Sequence, residues 1–256
     1  MTCGRFLAAL GTAVLATATA PGAAAQEVGV GVAVSAARAT DPGQRLTGVY
    51  VFTSVDAAAG PVRIWVSVPF ATQRSTFDTF DPVTGAPVVE DDTARGVGDP
   101  LVRADVRVVD DASNGLQIAA SASIKPALAD ADEGLGTGAT DVAFGASVLK
   151  TVGRTSILAD AQYWMYGDPD GLDLENTLSY SAGIARLLGS GRWSSMISVS
   201  GFSTGIDGGR GPVQLNLAAL ALAGRRQSVS VMVGVGLNSG ADDLSFGVGW
   251  RVLLRQ

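Results

Sequence analysis

Arg103, Asp105 and Arg107 occupy alternate positions of one run, with Val102, Ala104, Val106 and Val108 around and between them. In an extended chain, successive side chains point to opposite faces, so the three charges share a face from which the apolar residues are excluded. Asp160 and Gln162 repeat the arrangement further along, and Arg63 and Asp141 stand in comparable polar rows. Groups of both signs on one enclosed face have two uses. They can line a wet passage and sort small permeants by charge and size. They can equally pair with one another and stiffen a closed interior. Both readings stand on the sequence.

Other chemistries are excluded by what the chain lacks. It contains no histidine and one cysteine, Cys3. Nucleophilic catalysis of the Ser–His or Cys–His kind therefore has no base, and zinc sites of the usual kind have no ligands. A Ser–Lys dyad is formally open, but Lys125 and Lys150 fall at opposite ends of their segments. The sequence thus points away from an enzyme and calls for no cofactor and no metal. The stretch Gly167-Asp168-Pro169-Asp170-Gly171 resembles a calcium loop only loosely and reads more simply as a solvated turn. A net charge of −6 argues against nucleic acid as a partner.

The elements that must position these residues show up in the hydropathy. Residues 1–25 read as a cleaved signal peptide: Arg5 supplies the charge, Phe6 to Ala20 the apolar core, and Ala23-Ala24-Ala25 the small-residue cleavage pattern. Cys3 would leave with it, so no disulfide can brace the mature chain, residues 26–256. Hydrophobic residues make up 47% of the sequence and mean hydropathy is +0.29, yet no further stretch is long and apolar enough for a membrane helix. Thirty-three glycines also disfavour helix. Apolar residues fall instead at every second position. Leu116, Ile118, Ala120, Ala122 and Ile124 alternate with Gln117, Ser121, Ser123 and Lys125, and Val229, Val231, Val233 and Val235 with Ser228, Ser230 and Gly234.

Twelve such segments can be laid out, with ten to fourteen allowed, joined by alternating short and long connections. The largest long connections are expected over about 73–96 and 126–137. A secreted β-sandwich would show the same alternation. Its solvated face would carry many charges, however, whereas the polar rows here are rich in Gly, Ala and Ser, small enough for a narrow lumen. The expected fold is an all-β, antiparallel transmembrane β-barrel of about twelve strands.

Charge sorts along the same axis. Acidic residues such as Asp78, Asp81, Glu90, Asp91, Asp92, Asp130, Asp132, Glu133, Asp168, Asp170, Asp173, Asp207, Asp242 and Asp243 fall in or beside the long connections. Lys150, Arg154, Arg186, Arg192, Arg225, Arg226 and Arg255 fall at the other rim. Long loops of outer-membrane barrels face outward and short turns face the periplasm. The layout therefore implies the outer membrane of a Gram-negative bacterium with both termini periplasmic. Its partners would be membrane lipid and, through cations, lipopolysaccharide phosphates. Tyr163, Tyr166, Tyr180, Phe70, Phe246 and Trp193 are candidates for interfacial girdles, while Trp65 and Trp164 fall on the inward phase.

Gly96-Val97-Gly98-Asp99-Pro100, Ser123-Ile124-Lys125-Pro126, Gly134-Leu135-Gly136-Thr137-Gly138-Ala139-Thr140-Asp141 and Val66-Ser67-Val68-Pro69-Phe70 carry a resemblance. They resemble the "GLGD", "KPTG", "GxG…D" and "lxlPy" segments of an outer-membrane barrel family named after the meta pathway of phenol degradation. Ala127 stands where that family usually has Thr, and Leu253-Leu254-Arg255-Gln256 lacks the terminal aromatic that usually signals to the barrel assembly machinery. The resemblance implies an outer-membrane barrel that passes small, hydrophobic or aromatic molecules, and it brings no catalytic residues. The alternative kept beside it is a closed barrel whose acidic loops bind cations or lipopolysaccharide.

Overall fold

Two-residue connections set the geometry of one rim. Gly60-Pro61 and Gly153-Arg154 each join strands that pair directly, Ala59 with Val62 and Val152 with Thr155. Gly60 and Gly153 adopt φ of +57° and +59°, the left-handed region that glycine enters without steric cost. The computed structural model describes residues 26–41, 44–80, 87–167, 174–203 and 210–255. Residues 1–25 and Asp168 to Gly171 of the loose calcium-loop match, with Asp81, Asp173 and Asp207, lie outside them.

The described residues form strands and no helix. The first are β1 (Glu27–Asp41), β2 (Gln44–Ala59), β3 (Val62–Phe80), β4 (Pro87–Val97) and β5 (Leu101–Asp111). β6 (Leu116–Lys125), β7 (Asp141–Val152), β8 (Thr155–Met165) and β9 (Thr177–Leu188) follow. β10 (Trp193–Phe202), β11 (Val213–Leu222), β12 (Gln227–Gly236) and β13 (Leu244–Arg255) complete the sheet. Each strand from β5 to β13 pairs antiparallel with the next; β13 then pairs with β1, β1 with β2 and β2 with β3. β3 closes the circuit by pairing along Val62–Ser67 with β5 and along Phe70–Phe80 with β4. β4 and β5 are thus one barrel strand broken at Gly98-Asp99-Pro100, and the barrel has twelve strands.

The break has a local cause and revises one expectation. Gly96–Pro100 kinks the strand, because Pro100 has no N–H to give the ladder and the Gly98 N–H donates to the Pro69 carbonyl at 2.9 Å. The expected long loop over 73–96 is largely a hairpin extension, with Phe70 to Phe80 paired against Pro87 to Val97. Its sequence, Gln73-Arg74-Ser75-Thr76 against Asp91-Asp92-Thr93-Ala94, has no apolar row. Both of its faces stand clear of the apolar belt, so alternation could not betray it. Arg74 and Thr76 both donate to Asp91, at 2.7 and 2.8 Å.

Within the barrel proper the strands turn their apolar rows outward. Val32, Val55, Ile64, Ile184, Leu217, Val231 and Val248 are among the exposed large hydrophobic residues, while Ser67, Ser121, Gln162, Asn216 and Arg103 are buried on the inner face. This is the reverse of a soluble sandwich, in which apolar residues face inward, and lipid is the solvent that such a surface fits. Leu217 lies mid-way along β11 and is 53% exposed. Leu217→Arg is expected to cost about 2–4 kcal/mol of stability in a bilayer, read from denaturant titration of the barrel folded into vesicles. Phe70, Tyr163, Tyr180, Trp193 and Phe246 face outward as girdle residues should. Tyr166 does not. It is buried, its hydroxyl 2.8 Å from Thr177 Oγ1, because the chain leaves β8 just before it and folds the ring over the barrel end.

At the short-turn rim, Asp111 organises Asp111-Ala112-Ser113-Asn114-Gly115, a turn outside the apolar belt. Its carboxylate accepts from the Ser113 hydroxyl at 2.6 Å, from the Asn114 amide group at 2.6 Å, and from both backbone N–H groups. These bonds, the Ser113 hydroxyl foremost, hold its pKa down at about 2. A carboxyl lowered on folding contributes stability above its ordinary pKa near 3.8 and loses it as pH falls through the folded value. The turn should therefore stay ordered at pH 3 and loosen near pH 2, with Asp111→Asn abolishing that step in amide hydrogen exchange.

Candidate functional site

The inner face encloses a cavity of about 460 Å³. Its lining runs from Glu27, Gly60 and Arg107 near the short turns to Phe202, Pro212 and Ala241 towards the opposite rim. Strands β9 to β12 supply it with small or neutral polar groups, Ser179, Ser181, Ser198, Ser200, Gln214 and Asn216. Asn216 donates to Ser200 Oγ at 3.0 Å and Gln214 to Ser245 Oγ at 2.7 Å, while the buried Asn216 Oδ1 accepts no hydrogen bond. Phe52, Trp65, Leu101, Leu149, Leu158, Trp164 and Met196 give the cavity an apolar share as well. Both tryptophans are inward, as their phase predicts, and the Trp164 indole N–H donates to Ser179 Oγ at 3.1 Å.

Charge is concentrated on the other wall, in three clusters at successive heights. The middle one is built on Arg103. Its Nε donates to Asp105 at 2.9 Å, and a terminal nitrogen reaches Asp160 at 2.6 Å. Asp160 lies three strands away, so the guanidinium lies along the inner wall across β6 and β7. The residues beneath it are small, Ser121, Gly145 and Ser147. A Cβ on Gly145 would come within 2.1 Å of the Ala161 carbonyl oxygen and 2.5 Å of Gln162 Cγ, so no other residue fits there. Gln162 accepts from Ser123 at 2.9 Å beside this cluster.

The lower cluster joins three strands near the chain ends. Arg251 of β13 grips Asp56 of β2 with two nitrogens, at 2.8 and 2.6 Å, and Arg63 of β3 reaches the same carboxylate at 3.1 Å. The intervening strand, β1, presents Gly29, where a Cβ would lie 2.7 Å from both the Arg251 guanidinium and the Asp56 carboxylate. Arg107 is also low in the barrel. It pairs with Asp110 at 2.9 Å and donates to the Gly60 carbonyl at 2.8 Å, and so takes no part in the Arg103 cluster.

The upper cluster is the most buried. Lys125 Nζ lies 3.0 Å from Asp99 and 2.8 Å from Asp141, with all three side chains almost without solvent contact. The Asp141 contact is an electrostatic one without the direction of a good hydrogen bond.

Of the residues expected inside, Arg63, Arg103, Asp105, Arg107, Asp160 and Gln162 line the cavity. Asp141 does not: it is sealed behind Lys125 with no exposed surface. Asp56 and Arg251 in the lower cluster, and Asp99 and Lys125 in the upper one, were not among the residues expected inside. For Asp56, Lys125 and Arg251 the inward phase of their strands was the available signal. Among the described residues no group of His, Cys, Asp and Glu is arranged to hold a metal ion.

A family profile described as "Putative MetA-pathway of phenol degradation" matches residues 22–253. The chain belongs to this family. That agrees with the motifs around Gly98, Lys125 and Asp141. Among solved structures, an outer membrane channel from Pseudomonas putida F1 superposes with a TM-score of 0.69 at 14% identity, over 92% of this chain and 97% of that one. The NanC porin gives 0.54 at 8%, over 87% and 98%. The translocator domain of the autotransporter NalP from Neisseria meningitidis also gives 0.54, at 13%, over 92% and 90%. At these identities the likeness is one of fold: an outer-membrane-type β-barrel that hosts channels and autotransporters alike. No curated protein sequence matches the chain.

Proposed function

We propose that this protein is a passive outer-membrane channel for small molecules, with hydrophobic or aromatic compounds as its cargo. The observation that carries the reading is the cavity itself, whose lining extends along the barrel axis from one rim towards the other. A barrel serving only as a scaffold has no need of such a void, since small barrels fill theirs with side chains. Aromatic cargo is supported by the mixed lining: Phe52, Trp65 and Trp164 offer ring faces, and the serine wall offers hydrogen bonds without a fixed charge. The outward apolar rows and the family support insertion in the outer membrane. Glu27 and Arg255 lie next to the short turns, which supports a reading with both chain ends on the periplasmic side.

One feature favours the closed alternative, the Arg103–Asp160 bridge along the inner wall. Single-channel recording in planar bilayers tests the proposal, with a phenol or a simple aromatic acid added to one side. Discrete conductance steps that the aromatic solute partly blocks are expected. A barrel that inserts and shows no steps would overturn the channel reading.

A further inference from the structure

The upper cluster does more than neutralise charge, because Asp99 also holds a stretch of chain. Its second oxygen accepts the backbone N–H groups of Leu128 and Ala129, each at 2.9 Å, while Lys125 bonds the first at 3.0 Å and the Thr137 hydroxyl at 3.2 Å. Segment 126–140, between β6 and β7, is therefore fastened at both of its ends to one buried pair. Asp141 extends the tie by accepting the Gly167 N–H, at 3.2 Å, from the connection after β8.

Part of the segment, Leu135 and Gly136, packs on the inner side of the wall. Gly96 faces inward on β4, opposite in phase to the exposed Val97, and a Cβ there would meet Leu135 Cδ1 at 2.5 Å. Leu135 thus lies on the inner face of the barrel wall, and Gly136 packs against Asp99 and Ala129 with no space for a side chain. The segment also has its own internal order. Asp130 accepts the N–H groups of Asp132 and Glu133, and the Leu135 N–H returns to the Asp130 carbonyl. Pro126 and Gly138, the latter with φ of +76°, bound this folded unit. Leu128 is 75% exposed and adds little apolar burial, so at that end the polar ties hold the segment.

We infer that segment 126–140 is a gate in the outer mouth and that Lys125, shared between Asp99 and Asp141, is the latch that keeps it shut. The gating half rests on the channel reading; the latch does not. With the ammonium removed, Asp99 and Asp141 face one another with no counter-charge, and the arrangement that fixes the segment becomes repulsive.

The test separates the two halves. In a Cys3→Ser background, Leu135→Cys provides a single thiol on the segment's inward side. Adding Lys125→Met should speed its labelling by a water-soluble maleimide roughly tenfold or more, what one hydrogen bond to a charged group is worth. Asp99→Asn is the second variant should Lys125→Met fail to fold, and heat-modifiable gel migration certifies each barrel. In bilayers, Lys125→Met should show larger or more frequent openings, matching a variant in which residues 128–137 are replaced by a short Gly-Ser linker. Unchanged labelling in a folded barrel overturns the latch. Faster labelling with parental conductance in both variants overturns the gate. If neither the parent nor any variant conducts, the channel reading fails while the labelling result still judges the latch.

Discussion

Replacing Arg103 with alanine is expected to turn the lumen more cation-selective and to destabilise the barrel. The guanidinium satisfies two carboxylates, Asp105 at 2.9 Å and Asp160 at 2.6 Å, and its removal leaves both without a counter-charge on the same wall. Removing one partner of a fully buried pair costs about 3–5 kcal/mol. Here the carboxylates keep 23% and 26% of their side-chain surface, so water in the cavity screens them and the loss should lie below that range. The electrical consequence is the larger one. Two fixed negative charges mid-way along a narrow passage attract cations and repel anions, so the reversal potential in a salt gradient should move in the cation-selective direction. Arg103→Lys keeps the charge but cannot span both carboxylates. It should retain the parental selectivity while losing part of the stability. A barrel in which Arg103→Ala lowers the unfolding midpoint and leaves ion flow untouched would make the cluster a strut and not part of a passage.

The fold was legible in the sequence because a period of two is unforgiving. A slip of one residue would turn every valine of β12 inward, so the phase of each row fixes its face. That is why the sequence alone gives Arg63, Arg103, Asp105, Arg107, Asp160 and Gln162 an inward phase. Partner choice was not legible. Arg103 meets Asp160 only because the stagger of three consecutive strand pairs brings residues 57 positions apart to one height, and no local pattern encodes that sum. The Asp56–Arg251 pair is harder still: 195 positions separate its members, and it exists because β1 closes the barrel between them. Asp99 was hidden for a different reason. Within Gly-Val-Gly-Asp-Pro it reads as a turn residue, whereas its carboxylate serves a segment thirty residues away. The hairpin extension of β3 and β4 escaped because its middle, Gln73 to Thr76 against Asp91 to Ala94, carries no apolar row, which is how a loop reads too.

Asp56 offers the mirror-image experiment. Asp56→Asn should make the lumen more anion-selective and weaken the closure of the barrel. Its carboxylate is 8% exposed and joins Arg251 and Arg63, so the variant leaves two arginines sharing a neutral amide. The geometry is bidentate towards Arg251, the stronger form of such pairs. It also bridges β2 and β13 across β1, the seam where the two ends of the chain meet. The stability loss should approach the roughly 3–5 kcal/mol of a broken buried pair more closely than at Arg103, because Asp56 is the more enclosed carboxylate. Thermal unfolding in detergent, followed by the loss of heat-modifiable migration, would register it. Asp56→Asn combined with Arg251→Met should recover part of the loss, since the double variant no longer buries a guanidinium without its partner. The pair of experiments carries more weight than either alone. Arg103→Ala and Asp56→Asn change the lumen charge in opposite directions on the same wall, so a shared ion pathway demands reversal-potential shifts of opposite sign. Shifts of the same sign would mean that ions pass outside the cavity lined by these residues.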